Sequence, residues 1–252
     1  MTDPRHSGGR PTSGPHHQRI RPLVAWRALR RLIRNPDDTA EVFVIIDALS
    51  GRSGERLYRR FRTTAVGLRV LAERRDLMVR LADVDALRAL PEGSLGRSYA
   101  AFMEREQLSA GGLAEASQWS REASPAEDED RMRFGSRLRD SHDLWHVVTG
   151  YGRDLVGEAS LLSFTFAQTR NPGIGFIVLM AWWLSRGEIA YGRRMIRDAY
   201  RRGRAAAWLP AADWEPLLER PLAHVRGELA VGAPPTYRER RSTAGEAALA
   251  AR

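Results

Sequence analysis

Apolar residues along this chain return every three or four positions and never in sustained alternation, a periodicity that predicts helices from end to end. Trp26, Leu29 and Ile33 recur at helical spacing among Arg27, Arg30, Arg31 and Arg34. Asn35-Pro36-Asp37-Asp38 stops that stretch and opens another, carrying Val42, Phe43, Ile45, Ile46 and Leu49, which Gly51 terminates. Residues 57–81 hold a further amphipathic stretch. Gly93-Ser94 opens a helix over residues 95–108 in which Leu95, Tyr99, Phe102 and Met103 share a face. Residues 120–130, acidic and interrupted by Pro125, form a surface loop or a helix start. Helix resumes over 132–148, breaks at Gly150 and Gly152, and resumes over 158–166. Asn171-Pro172-Gly173 marks a turn, and two more helices cover 195–207 and 213–229. With no hairpin signature and no internal repeat, the expected architecture is all-α: a single-domain multi-helix bundle over residues 23–233. Flexible tails over 1–22 and 234–252 flank it.

Composition narrows the chemistry. At 252 residues and 43% hydrophobic, the chain can bury a substantial core. It has no cysteine, which removes thiolate nucleophiles, iron–sulfur clusters, cysteine zinc sites and disulfides together. All 40 basic residues are arginine, so Schiff-base and P-loop lysines are excluded as well. Arginine without lysine fits codon bias in a GC-rich genome; the sharper alternative is attraction to phosphates, in lipid headgroups or nucleic acid. The net charge of +9 is spread among aspartates and glutamates with no basic tail, which disfavours nucleic acid. Residues 1–22 lack the apolar centre of a secretory signal. The longest apolar run, 174–184, falls short of the roughly 20 residues a membrane span needs. The expectation is a cytoplasmic chain, soluble or peripheral to a membrane.

His6, His16 and His17 lie in the first tail, leaving His142, His146 and His224 as candidate ligands. His142 and His146 are four apart, which places them one turn apart on one helix face. Asp143 stands about 100° round the helix and can add an oxygen to the same side. Leu144 and Trp145 point elsewhere and pack on neighbours. Glu158 lies twelve residues past His146, about 18 Å along a straight helix, so it joins the histidines only if the chain doubles back. Gly150-Tyr151-Gly152 is where it can do so. Two histidines and two carboxylates can hold a divalent ion and leave room for water or substrate. With imidazole and carboxylate donors alone, the ligand set suits zinc, iron or manganese. The plainer alternative is a capped or buried polar pair with no metal. The metalloprotease pattern HExxH fails because its base glutamate is missing, and a His-Asp phosphohydrolase lacks its upstream core histidine.

His142-Asp143-Leu144-Trp145-His146, followed by eleven residues and Glu158, resembles the hallmark of the ubiquinone (coenzyme Q) biosynthesis protein family usually called "Coq four". Leu90-Pro91-Glu92-Gly93-Ser94-Leu95-Gly96 with Tyr99, Phe102 and Met103 is similar to the family's stretch ahead of the motif. Arg137-Leu138-Arg139, Thr149-Gly150, Gly157-Glu158, Ala212-Asp213-Trp214-Glu215, Pro221-Leu222 and Arg226 extend the likeness over residues 36–235. Leu161, Leu162, Ser163 and Phe164 stand where members often carry a lysine and an aromatic, which suggests a divergent bacterial branch.

The resemblance implies a metal-dependent carboxy-lyase that removes the ring carboxylate of a polyprenylated 4-hydroxybenzoate-derived precursor, with hydroxylation at that carbon. That oxidation needs an oxidant, which redox-inert zinc does not supply. His142, His146 and Glu158 are then ligands, and Asp143 is a fourth ligand or the catalytic base. The resemblance further implies a homodimer, peripheral to the bacterial inner membrane and beside other ubiquinone enzymes. A non-catalytic scaffold or lipid carrier with a structural metal is the alternative. Phe164, Phe166, Phe176 and Trp182, with Ile177 and Trp183, are candidates for an isoprenoid-binding groove or else ordinary core. The segment 23–34, with arginines around its apolar residues, suits an interfacial helix or one packed on the domain. His224 is most simply a satisfied polar residue on the last helix.

Overall fold

In the computed structural model, residues 20–35, 39–106, 129–184 and 190–239 are described. The helical periodicity is realised as α1 (Pro22–Arg34), α2 (Thr39–Ser50), α3 (Ser53–Phe61), α4 (Ala65–Ala72), α5 (Leu77–Leu81), α6 (Val84–Arg88) and α7 (Leu95–Arg105). After residues 107–128 follow α8 (Glu129–Asp140), α9 (His142–Thr149), α10 (Leu155–Thr169), α11 (Pro172–Leu184) and α12 (Ala190–Ala205). A 3-10 turn, Leu209–Ala211, leads to α13 (Trp214–Leu217) and α14 (Leu222–Glu228). Among the described residues there is no strand, only an isolated bridge between Ser94 and Pro221. The all-α expectation holds. His6, His16, His17, Pro36 to Asp38 and most of the acidic run 120–130 lie outside the described residues.

The amphipathic stretch 57–81 and the two expected helices 132–148 and 213–229 are each divided, for a local reason. Residues 57–81 form parts of α3, α4 and α5. There the Thr64 hydroxyl accepts from the Gly67 amide and the Asp76 carboxylate from the Met78 amide, and each cap starts a new helix. Residues 213–229 split into α13 and α14 because Pro221, without an amide hydrogen, caps the second helix rather than continuing the first. The stretch 132–148 turns at Ser141, whose hydroxyl bonds back to the Leu138 carbonyl, so the histidines open their own helix. Ser94 caps α7 as expected, accepting from the Arg97 amide.

The main core joins α5, α7, α9, α10, α13 and α14 around Tyr99, Leu144, Trp145, Leu161, Phe164 and Trp214. Leu95, Tyr99, Phe102 and Met103 are all buried in it, and so are Leu144 and Trp145. A second core, built from Ala25, Ala28, Leu29, Ile45, Ala48 and Ile177, ties α1, α2 and α11 into a layer of their own. A third, with Tyr58, Phe61 and Phe134, joins α3 and α4 to α8. No described helix is long and apolar enough to cross a membrane.

Between these cores the arginines make specific ties. Arg137 is 3% exposed; it forks onto both oxygens of Glu215 at 2.6 and 2.7 Å and reaches the Ala212 carbonyl at 3.1 Å. Arg226 donates to the Val147 and Val148 carbonyls, both at 3.0 Å, and Arg202 to the Thr149 carbonyl at 2.9 Å. These carbonyls end α9 without intrahelical partners, so two cations complete the C-terminus of the helix that carries both histidines.

Candidate metal centre

The centre is assembled from both turns of the short helix α9, the first turn of α10 and the reversal between them. Gly150 ends α9 with φ +76°, a left-handed conformation that glycine adopts without strain. Asp154 then caps α10, its Oδ1 accepting from the Val156 amide at 3.0 Å and the Gly157 amide at 3.3 Å. A side chain at 157 is impossible without rearrangement, since a β-carbon there would lie 2.1 Å from the Gly152 carbonyl oxygen. The tight turn leaves Glu158 in the first turn of α10, where the helix dipole favours a carboxylate. Its Oε1 stands 3.6 Å from His146 Nε2. The reversal expected at Gly150-Tyr151-Gly152 is present.

One donor atom each from His142, Asp143 and His146 lies within 4.8 Å of the others. His146 is 1% exposed, and the Phe102 ring stacks on it with centroids 5.5 Å apart. His146 Nδ1 is 2.8 Å from the Tyr151 carbonyl oxygen, which can only accept, so the ring proton sits on Nδ1. That leaves Nε2 as a lone pair, buried and without a hydrogen-bond partner. Such an atom is costly unless something fills its lone pair. A metal cation can do so: His142, Asp143 and His146 form a group able to hold one, and imidazole with carboxylate donors fits zinc, iron or manganese.

Electrostatics keep His146 and Asp143 in ligand form and shift His142 and Glu158 toward their protonated forms, so a metal would have to displace a proton from each of the latter two. Burial, then the His142 charge, pushes His146 down to about 3, so it is neutral at physiological pH. Burial works against a charged His142, but its hydrogen bond to Asp143 and the charges of Glu158 and Asp143 outweigh this and raise it. Burial alone raises a carboxyl; at Asp143 the His142 hydrogen bond and charge prevail and hold it low. At Glu158 burial wins and the carboxyl is raised, despite His142 and Arg153, whose Nε lies 3.7 Å away. Burial, with Asp143 and Asp140 nearby, pushes the Tyr99 phenol up, so its buried hydroxyl keeps its proton.

Beside His146 opens a cavity of 510 Å³ lined by Phe102, Arg105, Tyr151, Arg226, Tyr237 and Glu239 among others. The chain wall at Pro235 to Glu239 belongs to the stretch expected to be tail; the fold instead brings residues 234–239 against the reversal.

The proposed isoprenoid residues are not gathered into this cavity. Phe164 is fully buried in the main core against Trp145. Phe166 packs on Tyr200, Phe176 on the α1–α2–α11 core, and Trp182 is partly exposed under Arg193. His224 is exposed and contacts Arg220. The residues that sequence reasoning passed over are Tyr151, whose carbonyl sets the His146 tautomer, and Arg153, Asp154 and Tyr237. Of these only Asp154 had a legible signal, an N-cap residue directly before an apolar helix.

An all-helical domain that gathers His142 and Asp143 around His146, with Glu158 3.6 Å from His146 and a cavity beside it, defines this chain as a candidate metalloprotein of the helical class. The chain belongs to the coenzyme Q (ubiquinone) biosynthesis protein Coq4 family, whose model matches residues 17–235. It is 33% identical to the mitochondrial ubiquinone biosynthesis protein coq4 of Aspergillus flavus over 174 residues, covering 69% of this chain and 59% of that protein. With the Neurospora crassa coq-4 protein it shares 30% identity, covering 69% and 48% respectively. The match thus spans less than two thirds of these relatives' length. A Nostoc punctiforme crystal structure, provisionally assigned to ubiquinone biosynthesis, superposes with a TM-score of 0.60 at 22% identity. That superposition covers 85% of this chain and all of the other, and it supports the same fold.

Proposed function

We propose that this protein binds one divalent metal ion, zinc by preference, through His142, Asp143, His146 and Glu158, and acts in ubiquinone biosynthesis as a carboxy-lyase. Its substrate on this reading is a polyprenylated aromatic acid. The supporting observation is the buried Nε2 of His146, stripped of hydrogen-bond partners and facing two carboxylates and a second imidazole. A bound divalent ion supplies a Lewis acid that stabilises the charge left on a ring as carbon dioxide departs. The protein's own groups do the rest. Arg105 and Arg226 on the cavity wall offer positive charge to an acidic ring. Tyr151 and Phe102 hold the His146 ring in place. Asp143, held low by His142, suits a ligand better than a base. Hydroxylation at the vacated carbon requires an oxidant of the dioxygen class from outside this residue set.

The lipid half of the substrate points to a membrane surface. Leu23, Trp26, Ile33, Phe43, Leu179 and Trp183 are exposed on α1, α2 and α11. Large apolar side chains flanked by arginines suit docking on the interface of an anionic bilayer, here the inner face of a bacterial inner membrane. Neighbouring pathway enzymes and a second copy of the chain are the expected protein partners, and residues 23–233, with residues 234–239 docked on the reversal, form the working domain.

The test separates catalysis from scaffolding. His142→Ala and Glu158→Ala are placed in cells lacking the endogenous protein, and quinone production and the folded state are measured separately. A folded variant without quinone supports catalysis. Retained quinone production with metal lost contradicts it and favours the scaffold or lipid-carrier alternative, with a structural metal.

A further inference from the structure

The family match ends at Pro235, yet the chain beyond it returns to the centre. Pro234 lies over Gly150, where an added β-carbon would come within 2.4 Å of its ring. Three residues on, the Tyr237 hydroxyl accepts from the Gly152 amide at 2.6 Å and donates to Asp154 Oδ2 at 2.7 Å. Asp154 is 2% exposed, and its other oxygen caps the helix that carries Glu158. One phenol therefore ties together both ends of the reversal that separates the histidines from the glutamate. The approach is close enough that Gly157 has no room for a side chain, the Tyr237 oxygen lying 2.6 Å from where its β-carbon would be. A second anchor holds the strap further on, where the Arg238 amide donates to the Tyr191 hydroxyl at 3.0 Å.

We infer that Tyr237 is a positioning residue for the metal centre. Its hydroxyl latches the Gly150–Asp154 turn so that Glu158 is held opposite His146, and it acts through Asp154 rather than by touching the ion. The inference rests on the metal-centre reading and adds to it a residue outside the family match. Groups that orient ligands typically change metal affinity about 10–100-fold when removed. Because linkage is reciprocal, a bound metal must in turn steady the latch.

The experiment is a zinc competition titration of the full-length protein against a chromogenic chelator, for wild type, Tyr237→Phe and Tyr191→Phe. Folding is checked by circular dichroism. The latch predicts zinc affinity at least about tenfold weaker in Tyr237→Phe and unchanged in Tyr191→Phe, which loosens the strap without touching the turn. Equal affinity in Tyr237→Phe and wild type overturns the latch. So does an equal loss in both variants, which makes the strap a mere cover. Amide exchange on the wild type tests the same inference without a variant: zinc must slow exchange at Gly152, and no change there overturns it. Wild type that binds no zinc, iron or manganese sinks the metal-centre reading itself, and the latch with it.

Discussion

Around α9 and α10 polar groups are buried; around α1, α2 and α11 apolar groups are exposed. Each region inverts the usual partition of a folded protein, and in opposite senses. His146, Asp143 and Asp154 sit inside, held by the Tyr151 carbonyl, by His142 and by Tyr237. Trp26, Phe43 and Trp183 sit outside, each about half exposed or more. The helical layer that carries them has its own small core of alanines, leucine and isoleucines, so those aromatics are not needed to close it. The contrast teaches that each region suits a partner of its own polarity, which on the proposed reading is a cation for the first and a lipid or apolar surface for the second.

Breaking the polar region should have the largest effect. His146→Ala removes the central ligand, and we expect no detectable metal after dialysis and loss of quinone formation, read by elemental analysis and lipid mass spectrometry. Behind the histidines, Trp145 is 2% exposed and edges onto Phe164. Trp145→Ala should cost about 3–5 kcal/mol in denaturant unfolding, the usual range for emptying an aromatic site in a core. A loss under 1 kcal/mol would mean that the helix packs more loosely than described.

The next effect is a pH dependence away from the centre. Burial alone would raise the Glu215 carboxyl, but the Arg137 hydrogen bonds and charge outweigh it and hold the carboxyl below its ordinary 4.5. A carboxyl lowered by folding stabilises the folded state above its unfolded pKa and ceases to do so as pH falls through the folded value. Wild type should therefore lose stability from about pH 4.5 downward. Glu215→Ala leaves Arg137 buried without its carboxylate and should cost about 3 kcal/mol at pH 7, less in acid. A difference between the two proteins that does not shrink below pH 4 contradicts this.

The smallest effect on stability belongs to the exposed layer. Trp26→Ser with Phe43→Ser should change unfolding by no more than about 0.5 kcal/mol per site, since neither side chain is in the core. The same pair should weaken sedimentation with anionic phospholipid vesicles severalfold while leaving zinc affinity unaltered. Undiminished vesicle binding would remove the lipid partner from the comparison.

Much of this was legible in the chain. The helical period announced most of the long helices but not α11, whose residues 174–184 are apolar all round and carry no period, and the motif of His142, Asp143, His146 and Glu158 announced a convergence that only the glycine reversal makes feasible. Helix divisions were harder to see, because Thr64, Asp76 and Ser141 are small polar residues inside continuous apolar periodicity, and the caps of the first two and the back-bond of Ser141 compete with it only in three dimensions. Tyr237 was invisible for a different reason. It lies 79 residues from Glu158 in a proline-containing run, and nothing local distinguishes a docked strap from a loose tail. The isoprenoid candidates show the limit of composition: Phe164 and Trp182 look alike as apolar aromatics, yet one is sealed in the core and the other partly faces solvent.

X-ray absorption at the edge of the bound metal tests the centre most directly. We expect one ion per chain, with imidazole nitrogen and carboxylate oxygen neighbours at about 2.0–2.2 Å, and one oxygen fewer in Glu158→Ala. A spectrum unchanged by Glu158→Ala, or lacking imidazole scattering in wild type, would contradict a single ion shared across the reversal.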